Sequence, residues 1–133
     1  MIMAKITLYF SQTDVTTNTF WTTHYDILHL GVNIEEPKLY QIQELCKSNG
    51  VRSLFAFGSV TRNDFNESSD IDLVVDFEEK DPFKYTDLYF NLKSKLEEIL
   101  KRQVDLLEER GIKNSVFRQQ LESTKVKIYG CNL

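Results

Sequence analysis

Two aspartates in an apolar run are the first feature of this sequence that could carry chemistry. Asp70 and Asp72 belong to DIDLVVDF at residues 70–77, where apolar and acidic residues alternate as they do in a β-strand. On a strand the two side chains project from the same face, with Cα atoms roughly 6.5–7 Å apart. Neighbouring carboxylates repel each other unless something positive lies between them. A Mg²⁺ ion, held by carboxylates and phosphate oxygens, would supply that charge.

A third aspartate follows the same pattern further along the chain. The run QVDLLE at residues 103–108 indicates another strand, in which Val104 and Leu106 point to one face and Asp105 to the other. A third carboxylate on a neighbouring strand would allow two cations about 3.5–4 Å apart, which could hold the attacking and the leaving oxygen of a displacement. Singly, each aspartate could be a turn cap, a solvent-facing strand residue or a charge on an edge strand. Together the three favour a catalytic cation site.

A glycine–serine pair lies just upstream of the first two aspartates. Gly58 and Ser59 directly follow an apolar run at residues 51–57. Because glycine has no Cβ, a ligand can approach the backbone closely there. The amides that follow, together with the Ser59 hydroxyl, can bind phosphate oxygens, and Arg62 adds a cation that could hold a phosphate. The dipeptide alone would indicate only an ordinary turn, so its interpretation depends on the aspartates beside it.

The sequence around these residues predicts the elements that must position them. Besides the two aspartate strands, we predict a helix from Pro37 to Asn49, a strand over 51–57, a long helix after Asp81-Pro82, a helix over 113–123 and a strand over 125–129. Helices that alternate with short strands favour an α+β fold of two layers. We expect a short mixed β-sheet with helices packed on one face.

Composition and charge argue against several classes of protein. The 133 residues carry 16 Lys and Arg against 20 Asp and Glu, a formal net charge of -4. That balance disfavours a surface built to bind nucleic acid or an anionic membrane, since both need basic patches. No apolar run reaches the ~20 residues that a membrane span requires, and residues 1–10 make a poor signal peptide. With two cysteines outside any metal-ligand spacing, we expect a reduced, cytoplasmic protein.

The first 34 residues differ in composition from the rest of the chain. They hold both histidines, the single tryptophan and most of the threonines. The pattern favours a strand over residues 1–10 and a loop over 11–34. We therefore expect an N-terminal extension of unknown role over 1–34 and one folded domain over 35–133.

The spacing of the chemical residues resembles a known signature. Gly58-Ser59, ten further residues and then Asp70-Ile71-Asp72 are similar to the signature of the DNA polymerase β-type nucleotidyltransferase superfamily. The fuller string GSVTRNDFNESSDIDL, over residues 58–73, resembles that of the minimal (MNT) nucleotidyltransferases. The resemblance covers about residues 36–130 and includes the strand that carries Asp105. Residues 1–34 have no counterpart in it.

The resemblance implies a reaction and a set of roles. It implies that Asp70, Asp72 and Asp105 are catalytic and bind two Mg²⁺ ions. It also implies that the phosphates of ATP are bound by Gly58, Ser59, Arg62 and Ser69. Family members are commonly antitoxins that transfer AMP to a tyrosine of a HEPN-domain ribonuclease toxin. We expect the same here, in a hetero-oligomer with that toxin and without direct contact to membrane or nucleic acid. Asp105 would accept the proton of the incoming hydroxyl, because the third carboxylate of a two-metal site faces the nucleophile.

Two other interpretations of the function stay open. The chain could be a non-catalytic antitoxin, or binding module, that neutralises its partner by occlusion. It could also be a small-molecule nucleotidyltransferase, although such enzymes need an added substrate-binding domain and 133 residues leave little room for one. Members that add nucleotides to tRNA are disfavoured for the same reason and by the acidic balance.

Two further features have simpler interpretations. Cys46 lies in a predicted amphipathic helix, where it would serve packing. The aromatic residues of the long helix could stack on adenine or contact a partner, but aromatic residues at such positions usually belong to the core; they are Phe83, Tyr85, Tyr89 and Phe90.

Overall fold

Four strands and three helices make up the part of the chain that the structure describes. The structure is a computed structural model, and it describes residues 31–130. The elements are α1 (Glu36–Ser48), β1 (Val51–Phe57), β2 (Ile71–Phe77), α2 (Pro82–Leu100), β3 (Val104–Glu108), α3 (Ser115–Thr124) and β4 (Val126–Gly130). The α+β fold predicted from the alternation of helices and strands is confirmed, and each element bound lies within two residues of the prediction.

The strands form one mixed sheet in the order β3-β2-β1-β4. Strand β1 is antiparallel to β2 and to β4, whereas β2 and β3 run parallel and are joined by α2. The register pairs Phe57 with Asp72 across β1 and β2, and Asp72 with Asp105 across β2 and β3. Since residues that pair directly across a ladder point to the same side, these three side chains share one face of the sheet.

The opposite face of the sheet carries the hydrophobic core. Helices α1 and α2 pack there and contact each other, as expected from the apolar residues that recur along each helix at helical spacing. The fully buried side chains of this core include Ile42, Leu54, Ile71, Leu73, Val75, Phe77, Leu92 and Leu96. The prediction of helices on one face holds for these two longer helices.

Helix α2 begins at a side-chain cap and protects an edge of the sheet. The Asp81 side chain caps it by accepting a hydrogen bond from the backbone N of Phe83 at 3.0 Å. From its middle and last turns, Tyr89 donates to the carbonyl of Leu106 at 2.6 Å, and Glu97 accepts from the N–H of Val104 at 3.0 Å. Both bonds occupy backbone groups of β3, the edge strand beside the carboxylates, and so hinder pairing with another chain.

Helix α3 lies against the side of the sheet that carries the aspartates. The Asn114 side chain caps it by accepting from the backbone N of Phe117 at 2.8 Å. The Phe117 ring meets Phe57 edge-on, with centroids 6.0 Å apart. Since Phe57 pairs with Asp72, α3 borders the carboxylate face.

The chain before α1 is packed into the domain. Val32 and Ile34 are buried in the core although they precede the predicted boundary at residue 35. The predicted strand over 1–10 and most of the predicted loop lie outside the described residues. The division into an extension and a domain therefore stays a prediction.

The remaining minor predictions have mixed outcomes. Cys46 is fully buried, and burial raises the pKa of its thiol to about 12, so its packing role is confirmed. Of the four aromatic residues on α2, Tyr85 is buried and Tyr89 half-buried, whereas Phe83 and Phe90 are exposed. In residues 31–130 no helix combines the length and the apolar character that crossing a bilayer requires.

Truncation of a core side chain on α2 should destabilise the domain. Leu92 is fully buried, so Leu92→Ala should lower the free energy of unfolding by about 2–5 kcal/mol through lost burial and the cavity left behind. Phe90→Ala on the same helix removes an exposed ring and should change it by less than about 1 kcal/mol. Denaturant unfolding of both variants measures the difference, and equal losses would contradict the assigned core.

Candidate active site

Three aspartates lie at one end of the parallel strand pair. Asp72 is half-buried on β2, and Asp105 is exposed opposite it on β3. Asp70 is exposed and ends the loop that leads into β2. The structure thus brings together the side chains that the spacing in the sequence had singled out.

The Asp72 carboxyl is perturbed by its surroundings. Burial raises its pKa, and the negative charges of Asp105 and Asp70 raise it further. The Asp105 carboxyl also lies within hydrogen-bonding reach of Asp72, which raises the same pKa, while the positive charge of Arg62 lowers it. A carboxyl perturbed by both burial and specific like charges is typical of functional sites, where a ligand can relieve the repulsion.

Gly58 packs directly against the Asp72 carboxylate. Its φ of +73° lies in the left-handed region that favours glycine. A Cβ at this position would come closer than 3.0 Å to Oδ2 of Asp72. Residues Gly58–Thr61 form a 3₁₀ turn, which the fully buried side chain of Val60 anchors in the core. Glycine is therefore required here both by its backbone angle and by the carboxylate beside it.

The other predicted phosphate-binding residues lie on this turn and on the loop after it. Ser59 is half-buried, and no group within the described residues hydrogen bonds its hydroxyl. Arg62 is exposed and donates from Nε to Oδ1 of Asp64 at 3.1 Å. The Ser69 hydroxyl accepts from the backbone N of Asn66 at 3.1 Å. As far as residues 31–130 are concerned, Ser59 is thus available to a ligand, whereas Arg62 would exchange partners and Ser69 stabilises its own loop.

Arg102 ties this loop to the chain that leads into β3. Its Nη1 donates to the carbonyls of Asn66 at 2.9 Å and Ser69 at 2.6 Å, and its guanidinium lies 4.5 Å from the centre of the Phe65 ring. These contacts fix the backbone immediately before Asp70. This role could not be predicted from the sequence, because the partners of Arg102 are backbone carbonyls more than thirty residues away.

Asn33 holds the 3₁₀ turn from the other side. Its backbone N donates to the carbonyl of Val60 at 2.8 Å, and its Nδ2 donates to the carbonyls of Val60 at 2.9 Å and Arg62 at 2.8 Å. Asn33 belongs to the predicted N-terminal extension, for which no role was predicted. No signal in the sequence pointed to it.

The donor set suits a hard cation accompanied by phosphate. Among residues 31–130, no three acidic, histidine or cysteine side chains are gathered closely enough to hold a metal ion by themselves. Asp72 and Asp105 are in contact, and Asp70 acts on Asp72 through its charge. Carboxylate oxygens are the ligands that Mg²⁺ prefers, and Mg²⁺ is commonly held by one or two of them together with substrate phosphates. The residues present therefore fit that ion.

Known proteins resemble this chain in sequence and in fold. The family described as polymerase beta nucleotidyltransferase matches residues 40–132. The protein adenylyltransferase MntA of Thermococcus cleftensis is 34% identical over 79 residues, which make up 59% of this chain and 77% of that protein. The family match spans the glycine–serine turn and all three aspartates.

Two solved structures show the same architecture. That of a candidate minimal nucleotidyltransferase superposes with a TM-score of 0.58 at 32% identity, covering 68% of this chain and 88% of that one. A tri-AMPylated HEPN toxin of Shewanella oneidensis in complex with an MNT antitoxin gives a TM-score of 0.52 at 24% identity, covering 74% of each chain. The resemblance seen in the signature is thereby confirmed: this chain belongs to the polymerase beta nucleotidyltransferase family and is an adenylyltransferase-like enzyme.

Proposed function

We propose that this chain transfers AMP from ATP to a tyrosine hydroxyl of a HEPN-domain partner, and that the modification neutralises that partner as a toxin. The observation that carries the proposal is the contact of Asp72 with both Asp105 and Gly58 on one face of the sheet. This arrangement puts paired carboxylates beside a turn that a phosphate can approach. The matched protein adenylyltransferase supports the reaction, and the AMPylated HEPN toxin supports the acceptor.

The glycine–serine turn would bind the phosphate chain. Gly58 lets the turn lie directly against the Asp72 carboxylate, and the Ser59 hydroxyl has no competing partner among the described residues. Arg62 would add positive charge by exchanging Asp64 for a phosphate oxygen. Held in this way, the α-phosphorus of ATP would be oriented for in-line attack.

Asp105 would act on the attacking hydroxyl. It is exposed at the edge strand, whereas Asp72 is half-buried beneath Gly58, so Asp105 is the more accessible of the two to an incoming side chain. The tyrosine oxygen forms a bond to the α-phosphorus as the bond to the leaving pyrophosphate breaks. Asp105 accepts the phenolic proton in that step.

Together with phosphate oxygens, Asp70, Asp72 and Asp105 would hold Mg²⁺, as two ions. When bound, Mg²⁺ supplies positive charge that stabilises the phosphate oxygens during the displacement. The raised pKa of the Asp72 carboxyl supports this assignment, because like charges at close range indicate a place for a cation. Since ATP and Mg²⁺ abound in the cytoplasm, we place the reaction there.

A single small domain leaves the acceptor side of the site open. Asp105 lies on the edge strand, and no further strand covers it within the described residues. Walls around the nucleotide and the tyrosine would then come from the partner, so we propose a hetero-oligomer. Light scattering of the co-expressed proteins tests this, and separate monomers would contradict it.

AMP transfer and simple occlusion predict different results for the same variants. With α-labelled ATP, Mg²⁺ and a HEPN-domain protein encoded beside this chain, we expect label on a tyrosine, and none with γ-labelled ATP because that phosphate leaves. The double variant Asp70→Ala/Asp72→Ala should lose at least a hundredfold in transfer rate and also lose neutralisation, while complex formation persists.

Two outcomes would overturn the proposal. Full neutralisation by the double variant would favour a binding module that occludes its partner. Label on a small molecule and never on protein would favour a small-molecule nucleotidyltransferase. Asp105→Asn with undiminished transfer would reject only the proton-accepting role of that residue.

Glycine at position 58 should be required for transfer rather than for folding alone. Gly58→Ala adds backbone strain of about 1–2 kcal/mol and a Cβ against Asp72, so we expect transfer to fall at least tenfold. Gly50→Ala is a matched control, because Gly50 also has a positive φ, +67°, but a Cβ there would meet nothing within 4 Å. We expect both variants to lose a similar amount of stability. Only Gly58→Ala should also lose transfer. Equal transfer by both variants would contradict the role of Gly58.

Mg²⁺ should stabilise the chain through the aspartates in the presence of the ATP analogue AMP-PNP. Binding to the folded state alone raises the free energy of unfolding by about 2.7 kcal/mol at one hundred times the Kd. We expect thermal unfolding to shift upwards with Mg²⁺ in the wild type and in Glu44→Gln, an exposed change on α1. Asp72→Asn should lose the shift. Without Mg²⁺ at neutral pH it should unfold at a higher temperature than the wild type, because it removes a charge whose pKa the fold raises. If Mg²⁺ raised the unfolding temperature of Asp72→Asn as much as that of the wild type, the role of Asp72 in binding the ion would be contradicted.

A further inference from the structure

Asn33, which lies before α1, contacts the candidate site through the backbone of the 3₁₀ turn and of Arg62. Its backbone N and its Nδ2 both donate to the carbonyl of Val60, and Nδ2 also donates to the carbonyl of Arg62. The two acceptors are 27 and 29 residues away along the chain. Asn33 therefore joins the N-terminal part of the described chain to the proposed phosphate-binding turn.

Both ends of this contact are anchored in the core. Val32 and Ile34, on either side of Asn33, are buried, and so is the side chain of Val60. The Asn33 side chain itself is exposed, but its bonds start from a backbone that the two buried neighbours hold in place. A polar side chain on such a backbone can position its partner accurately, since little freedom remains on either side.

The bonds from Asn33 add to the hydrogen bonds that carbonyls of the turn accept. Inside the turn, the Thr61 hydroxyl donates to the carbonyl of Gly58 at 2.6 Å, and the N–H of Arg62 donates to that of Ser59 at 2.9 Å. The carbonyls of Val60 and Arg62 depend on Asn33. With the carbonyls of Gly58, Ser59 and Val60 all accepting hydrogen bonds, the turn keeps a defined backbone orientation.

A fixed carbonyl also fixes the N–H of the same peptide plane. The peptide group is planar and trans, so its N–H points away from its C=O. When Asn33 holds the carbonyl of Val60, it sets the direction of the Thr61 N–H. When it holds the carbonyl of Arg62, it sets the backbone from which the guanidinium extends. The Thr61 N–H belongs to the 3₁₀ turn itself, and the guanidinium is the group that would face the phosphates.

We propose that Asn33 is a positioning residue for the phosphate-binding turn. The inference rests on the proposed function, since it assumes that the turn binds the phosphate chain of ATP. Asn33 touches no reacting atom; it acts by fixing the backbone of the turn and of the arginine that follows it. It should therefore govern how strongly the chain prefers a nucleoside triphosphate to a monophosphate.

The test compares the binding of AMP-PNP and of AMP to the full chain by calorimetry, with Mg²⁺ present. Asn33→Ala removes the two side-chain hydrogen bonds and should weaken the binding of AMP-PNP by about three- to tenfold, while the binding of AMP stays unchanged. Asn33→Asp keeps the shape but points a carboxylate oxygen at the same two carbonyls, so its loss should be larger. The matched control is Gln43→Ala, which also loses a side-chain bond to a carbonyl, that of Ile128 at 3.1 Å, near the other end of β1.

The outcomes separate this inference from the function on which it rests. A selective loss of AMP-PNP affinity in the Asn33 variants, with the control like the wild type, supports the positioning role. Unchanged affinity in the Asn33 variants overturns it, and so does a loss shared equally by both ligands or by the control, since that would reflect general destabilisation. A wild-type chain that binds no AMP-PNP would overturn the proposed function itself.

Discussion

The structure depends on a concentration of negative charge that the rest of the fold must hold in place. Asp72 lies half-buried, with Asp105 opposite it in register and Gly58 against its carboxylate. Alone, such an arrangement is unfavourable, because burial and like charge both disfavour the ionised carboxyl. The apolar side chains on the other face of the same strands provide the offsetting stabilisation. One sheet thus separates a face that supplies stability from a face available for chemistry.

Helix α2 connects these two faces. Because β2 and β3 are parallel, a crossover must join them, and α2 is that crossover. It buries Leu92 and Leu96 in the core, covers backbone groups of the edge strand through Tyr89 and Glu97, and leads directly to Arg102. Loss of the helix would therefore affect the core, the position of β3 and the loop before the aspartates together.

The phosphate-binding turn and the loop after it are held by long-range contacts to backbone. Asn33 bonds the turn from one side, and Arg102 bonds the following loop from the other. Between them lie Gly58 and Asp70, the two ends of the glycine–aspartate signature. A motif that looks local in the sequence is thus kept in shape by residues outside it. This follows from the motif's own composition, which is mostly loop and has few apolar side chains to anchor it.

By itself, the sequence determined the strands and helices, the strand faces that Asp72 and Asp105 occupy, and the family to which the chain belongs. It could do so because alternation, helical spacing and the interval between Gly58 and Asp70 are local patterns that need no knowledge of distant contacts. The tertiary structure alone decided that Asp72 pairs with Asp105, that Gly58 packs against that carboxylate, and that Asn33 and Arg102 hold the backbone around them. The physical reason is that every residue offers a backbone carbonyl, so a side chain that binds one does not require its partner to be any particular residue type.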